Sequence, residues 1–263
     1  MPPMDMTKQD SLLRTQIRVI GALVLRETRV TFGKAKMGYL WAIMEPIFGT
    51  AFLTLIFSIV TRHPPIGTSF TLFFATGILT FQFYSKLADS LMAVFQANRG
   101  LMAYPLVKEV DVVIARFLLI AATYTTIIIV FFGGLIALQI ADYPAHLDTV
   151  LLAILAVALL GLGAGLTNAV VMMLWPTWKQ LHTVLTRPLF FISGVFFIPS
   201  NFPPDIRYIL SWNPILHCIE LFRAGYYPMY NPQTLDVSYL FFYIAILLLI
   251  AFGSERLYRK HQK

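Results

Sequence analysis

Six apolar stretches, each close to the length a helix needs to cross a bilayer, constrain this chain more than any other feature. A hydrocarbon core of ~30 Å takes ~20 helical residues to span. The stretches cover residues 38–61, 70–87, 112–140, 150–174, 185–198 and 237–254. The third is long enough to tilt, and the fifth reaches spanning length only by borrowing from its flanks. Hydrophobic residues make up 58% of the chain and charged residues 13%, about half the share near 25% of soluble domains. The reading is an all-α integral membrane protein with six transmembrane helices, forming a single transmembrane domain over residues 1–263. No cleavable leader is expected. The start is polar through Lys8 and Asp10, and the apolar residues that follow are interrupted by Arg14, Arg18, Arg26 and Arg29.

Basic residues orient the spans, because loops rich in Lys and Arg stay in the cytoplasm. With both termini inside, 17 of the 20 basic residues fall on the cytoplasmic side, leaving Arg62, Arg207 and Arg223 outside. The opposite topology reverses the bias. The net charge of +7 is therefore a topology signal, and no nucleic-acid partner is expected.

Three segments are not spans. Over residues 11–36, the four arginines fall within about a third of a helical circumference, with Leu13, Ile17, Ile20, Leu23 and Val24 on the other side. This is a helix lying in the membrane interface, either as an anchor or as part of a substrate entrance. Residues 88–111 form a cytoplasmic connection punctuated by Gly100 and Pro105 into a short helix, although composition alone favours an ordinary loop with a helical turn. On the outer side, residues 200–232 begin with Pro203-Pro204 and are broken at Asn213-Pro214. Each half is too short to span, so two re-entrant helices dipping into the outer leaflet fit best. Glu220 and Arg223 lie one turn apart and can pair. The alternative for this segment is an outer cap that does not touch cargo.

Catalytic chemistry is missing from the pattern. No Gly-x-x-x-x-Gly-Lys-Ser/Thr loop, His-Glu-x-x-His pair or Gly-x-Ser-x-Gly elbow occurs. The lone Cys218 forms no disulfide framework, and the five histidines are scattered, so no metal site is expected. The glycines Gly161, Gly163 and Gly165 lie within the fourth stretch without a preceding strand and read as close helix packing. Glu45 is the clearest ionisable residue within a stretch, and it is near enough to the cytoplasmic end to reach the interface or pair with Lys34 or Lys36. No Asp, Glu or His relay crosses the bilayer, and no inverted repeat is evident. Both observations argue against a proton-coupled carrier and for an energy source on another chain.

The order of motifs carries a resemblance. Gly38-Tyr39-Leu40-Trp41 and Glu45-Pro46 follow the basic amphipathic helix. Asn98-Arg99-Gly100-Leu101 with Tyr104-Pro105 follows the second stretch. Ser193-Gly194-Val195-Phe196-Phe197, Pro203-Pro204, and Asn213-Pro214-Ile215-Leu216-His217 with Glu220 come near the end. Across nearly the whole chain this resembles the membrane subunit of type-2 ABC exporters, most closely the capsular polysaccharide export permeases of Gram-negative bacteria. The resemblance implies an inner-membrane homodimer whose interface forms the channel. It also implies two copies of a cytoplasmic ATPase that carries the ATP and Mg, with no cofactor on this chain. Periplasmic co-polymerase and outer-membrane export proteins would be further partners, and the cargo would be lipid-linked acidic polysaccharide.

The resemblance makes Asn98, Arg99, Leu101, Tyr104 and Pro105 the coupling helix seated on the ATPase. Asn213, Pro214, Glu220 and Arg223 become the outer gate. Arg26, Arg29, Tyr39, Trp41, Trp175, Trp178 and Lys179 are the candidate cargo path, since cations attract a polyanion and aromatic faces stack on sugars. The same aromatics suit an interfacial belt, and the same cations the topology signal. No carbohydrate-binding domain is expected after the sixth stretch, which favours the capsule branch. The other exporter readings are O-antigen, teichoic acid, lipid or drug as cargo.

Overall fold

The computed structural model describes residues 6–32, 36–60, 63–102 and 107–262. All regular structure among them is helical. The order is α1 (Met6–Phe32), α2 (Lys36–Val60), α3 (Phe70–Met92), the single turn α4 (Val94–Ala97), α5 (Glu109–Ala137), α6 (Leu147–Leu174) and α7 (Trp178–Ile192). A 3-10 turn (Pro199–Asn201), α8 (Pro204–Leu210), α9 (Pro214–Tyr226) and α10 (Val237–Gln262) complete it. Three of these, α5, α6 and residues 237–257 of α10, are long and apolar enough to cross a membrane, with mean hydropathies of 2.2, 2.5 and 2.2.

Sequence chemistry sets the helix starts. Ser69 Oγ accepts from the Leu72 N–H at 3.3 Å to cap α3. Asp111 reaches back one turn to accept from the Lys108 N–H at 3.0 Å, and with Glu109 it places negative charge at the N-terminus of α5. At α9, Asn213 Oδ1 accepts from the Ile215 N–H at 3.0 Å while Pro214 occupies the first position, where no amide donor is needed.

The bundle is built around α3, which is buried almost continuously from Leu72 to Phe81. It packs against α6, α5, α2 and α9, while α10 closes on α6 and α9. The glycines of α6 permit the closest of these contacts. A Cβ at Gly161 would lie 2.8 Å from Leu87 Cβ, and one at Gly165 2.6 Å from Leu91 Cβ, both on α3. Gly163 points elsewhere, where a Cβ would lie 2.9 Å from Leu247 Cγ on α10. One glycine run thus seats two neighbours, as small residues do wherever helix backbones approach.

Contacts sort the helix ends into two groups. At one end α1 lies along the start of α5, and the end of α3 meets the start of α7 through Asp89 and His182 at 3.2 Å. At the other end Phe57 of α2 packs on Phe74 of α3, and Thr76 meets α9. There too Asn213 meets the end of α7, and the His146 N–H donates to Gly225 O at 2.8 Å. The helices α2, α3, α5, α6, α7 and α10 therefore run alternately between the two ends.

Three expected boundaries need correction. The helix placed at 11–36 runs from Met6 to Phe32, and Lys36 opens α2. The connection placed at 88–111 starts inside α3, which continues to Met92, because Leu87, Leu91 and Met92 are buried and two of them sit over the α6 glycines. The fifth stretch, placed at 185–198, is helical over 178–192. Its polar first turns are anchored by the Trp178 indole donating to Asn168 Oδ1 at 3.0 Å. It stops where residues 193–198 turn to offer their carbonyls to Arg223. The paired short helices expected within 200–232 are present as α8 and α9.

Candidate functional site

Two polar clusters occupy the opposite ends of the bundle. At the first, α1 is held against α5 by charge. Glu27 is buried (1% exposed) and accepts from Arg116 Nε at 2.9 Å, with a second bond from Nη2 of the same guanidinium. Arg116 Nη1 also donates to Ser90 O at 3.3 Å, so α1, α3 and α5 meet at this one side chain. Three turns earlier in α1, Gln16 donates to Asp111, the residue that caps α5. Sequence reasoning missed Glu27, Arg116 and Asp111 as a unit. A signal was present: at about 100° per residue Glu27 falls among Ile20, Leu23 and Val24, on the apolar side of the helix, and a carboxylate there needs a buried cation.

Arg26, a cargo-path candidate, turns to the coupling segment instead. Its Nη1 donates to Asn98 Oδ1 at 2.6 Å, and Glu27 Oε1 lies 3.7 Å away. Asn98 is buried and its amide donates to Val94 O at 3.0 Å, which locks the side chain onto α4. Leu101 is half-buried against the core and Arg99 is exposed. Tyr104 and Pro105 lie outside the described residues, as does the side chain of Tyr39. Of the remaining cargo-path candidates, Trp175 and Trp178 are in ring contact at 6.0 Å, and Arg29, Trp41 and Lys179 are exposed. Among the described residues, Arg26 is thus tied to the coupling segment, while the tryptophan pair lies apart at the α6–α7 turn. Glu45 borders a small polar cleft of about 160 Å³ with Gln82, Lys86 and Tyr124. Lys34, one of its expected partners, and the side chain of Lys36, the other, lie outside the described residues.

The second cluster centres on Arg223, which has no solvent exposure. Its Nη1 donates to Gly194 O at 2.7 Å and Phe197 O at 3.2 Å, Nη2 to Val195 O at 3.1 Å, and Nε to Thr76 Oγ1 at 3.2 Å. The guanidinium also lies 4.1 Å from the centroid of Phe73. Gly77 leaves it room, since a Cβ there would sit 3.1 Å from Nη2. Glu220 Oε1 is 3.6 Å from Nη1, and Tyr230 donates to Glu220 Oε2 at 2.6 Å. Burial first, and then the Glu220 charge, holds the Tyr230 phenol above its usual range, so it remains a donor. The expected Glu220–Arg223 pairing is present, but the pair is buried, and three carbonyls of the 193–198 turn take most of the guanidinium. Asn213 Nδ2 donates to Ser193 Oγ at 3.0 Å, so the start of α9 holds the same turn.

A bundle of alternating helices, three of them apolar over a full span, with an amphipathic helix clamped at one end and two short helices packed at the other, defines a polytopic helical membrane protein. Among the described residues, its buried charges brace helices against one another. The chain belongs to the ABC-2 type transporter family, whose pattern matches residues 18–227. It is 32% identical to the polysialic acid transport protein KpsM of Escherichia coli over 240 residues, covering 90% of this chain and 92% of that protein. It is 29% identical to the capsule polysaccharide export inner-membrane protein CtrC of Neisseria meningitidis, covering 83% and 82% of the two chains. It is 26% identical to the corresponding protein BexB of Haemophilus influenzae, covering 85% and 84%.

Proposed function

We propose that this chain is the permease subunit of an ATP-driven exporter that moves lipid-linked, acidic capsular polysaccharide from the cytoplasm across the bacterial inner membrane. The observation that carries the reading is likeness along most of the chain to proteins named for polysialic acid transport and for capsule polysaccharide export. Two copies form the channel, and all six alternating helices cross the membrane with both termini inside. A separate ATPase binds ATP and Mg and docks on the segment from Asn98 to Pro105. The Arg26–Asn98 bond supports that placement, because it ties this segment to the amphipathic helix and, through Glu27 and Arg116, to α3 and α5. Periplasmic co-polymerase and outer-membrane proteins receive the polymer. The buried Arg223 cluster fixes the outer closure, and the exposed Arg29, Trp41, Trp175 and Lys179 serve the inner entrance.

Deleting the chain tests the reading. The expected result is polymer trapped in the cytoplasm and a missing capsule, with the trapped material identifying the cargo. An unchanged capsule with no accumulation overturns the capsule assignment and gives the cargo over to another polymer, a lipid or a drug. Co-purification of an ATPase with the detergent-solubilised chain tests the partnership separately.

A further inference from the structure

A concave groove of about 470 Å³ opens between α8, the start of α9 and the start of α10. That volume lies within the ~300–1,000 Å³ of small-ligand sites. Three aromatic rings line it. Tyr208 and Trp212 meet edge to face at 6.2 Å and 87°, and both are largely exposed. Tyr239 is fixed opposite them by its hydroxyl, which donates to Trp212 O at 2.9 Å. The groove is also polar. Arg207 donates through Nη1 to Gln233, while its Nε is buried and meets no hydrogen-bond acceptor among the described residues. Thr234 Oγ1 is likewise buried without a partner. Asp236 uses one carboxylate oxygen to cap α10, accepting from the Tyr239 N–H at 2.9 Å.

Aromatic side chains at a membrane surface usually form a belt facing lipid. These rings instead line a cleft with an arginine, an amide, a carboxylate and a hydroxyl, two of whose polar atoms lack partners. Lipid tails satisfy none of those groups. A sugar ring suits such a lining: its C–H faces pack on aromatic rings, and its hydroxyls both donate and accept. Arg207 lines the groove, and its guanidinium favours a ligand carboxylate over a neutral group. Asp236 then accepts from ring hydroxyls.

We propose that this groove is a binding site for sugar units of an acidic polysaccharide on the outer side of the membrane, with Tyr208 and Trp212 as stacking surfaces and Arg207 as the carboxylate donor. The proposal rests on the export reading above and adds a hold on the polymer after translocation. Retention there would oppose backsliding between strokes of the motor.

The test uses the full chain in neutral-lipid nanodiscs, with emission from Trp212 isolated by comparison with Trp212→Phe. The probes are hexamers of sialic acid and of galacturonic acid, with their carboxyl-reduced, neutral counterparts. The expected result is a saturable change in Trp212 emission with an acidic hexamer, weakened about tenfold by Arg207→Gln, by Tyr208→Ala and by carboxyl reduction. No saturable response to either hexamer, or equal affinity in both variants, overturns the proposal. Capsule measurements in cells separate it from the export reading. Loss of capsule on deletion of the chain, together with wild-type export in both Arg207→Gln and Tyr208→Ala, overturns the groove and leaves the export reading standing. An unchanged capsule on deletion overturns both.

Discussion

Replacing Arg223 by Met keeps much of the side-chain length and removes every donor. It leaves the Glu220 carboxylate in place with no solvent exposure and its cation gone. Removing one partner of a buried ion pair costs ~3–5 kcal/mol, because the remaining charge is uncompensated. The carbonyls of Gly194, Val195 and Phe197 lose their donor at the same time, at ~1–3 kcal/mol for each one that cannot turn to another. Relaxation of the turn offsets part of this, so the expected loss is about 4–6 kcal/mol. Adding Glu220→Gln removes the stranded charge, keeps an acceptor for Tyr230, and recovers about 2 kcal/mol of that loss. Arg223→Lys falls between, since one ammonium cannot reach acceptors spread around a planar fork. Equilibrium unfolding in lipid–detergent micelles measures the totals, and amide hydrogen exchange over residues 193–198 locates them. If Arg223→Met unfolds within about 1 kcal/mol of the parent, or if exchange in the 193–198 turn is unchanged, the bracing role assigned to this cluster is wrong.

Gly165→Val should lower the unfolding temperature sharply, by forcing α6 off Leu91, whereas Gly133→Ala, with nothing within 4 Å of the added carbon, should leave it near the parent value; thermal unfolding of both variants checks the contrast. Glu27→Gln strands Arg116 and should release α1, raising amide exchange along that helix by a factor on the order of 100 for a loss of ~3 kcal/mol. Unchanged exchange in α1 would count against the clamp. Replacing Tyr104 and Pro105 together should leave insertion intact while ATP hydrolysis continues without export, read by ATPase turnover alongside capsule quantification. Normal export in that double variant removes the ATPase from this segment.

The helices were legible because lipid makes a simple demand. A segment that crosses hydrocarbon must be apolar over its length, and that needs no knowledge of its neighbours. The glycines of α6 were legible for a related reason, since small residues at four-residue spacing have few uses within an apolar helix. Residues 178–184 were harder. Trp178, Lys179, Gln180 and His182 look like loop by hydropathy, and only Asn168 and Asp89 on other helices make them helical ground. The Glu27–Arg116 clamp joins residues 89 positions apart. Local pattern marked Glu27 as misplaced on its helix face without indicating which cation would meet it. Arg223 was read as a partner of Glu220 from their spacing, but its larger role, holding the 193–198 turn, depends on carbonyls whose direction is set by the tertiary fold.

The grip of α9 on that turn constrains how this end of the bundle can move. Asn213 at the start of α9 and Arg223 in its last turn both hold residues 193–197, and Arg223 also binds Thr76 of α3. Swinging α9 outward alone would break these bonds together, and those of Arg223 lie where the side chain has no solvent exposure. These bonds join α9, the turn and the start of α3 into one block. On the chain that block ends at the 3-10 turn before α8.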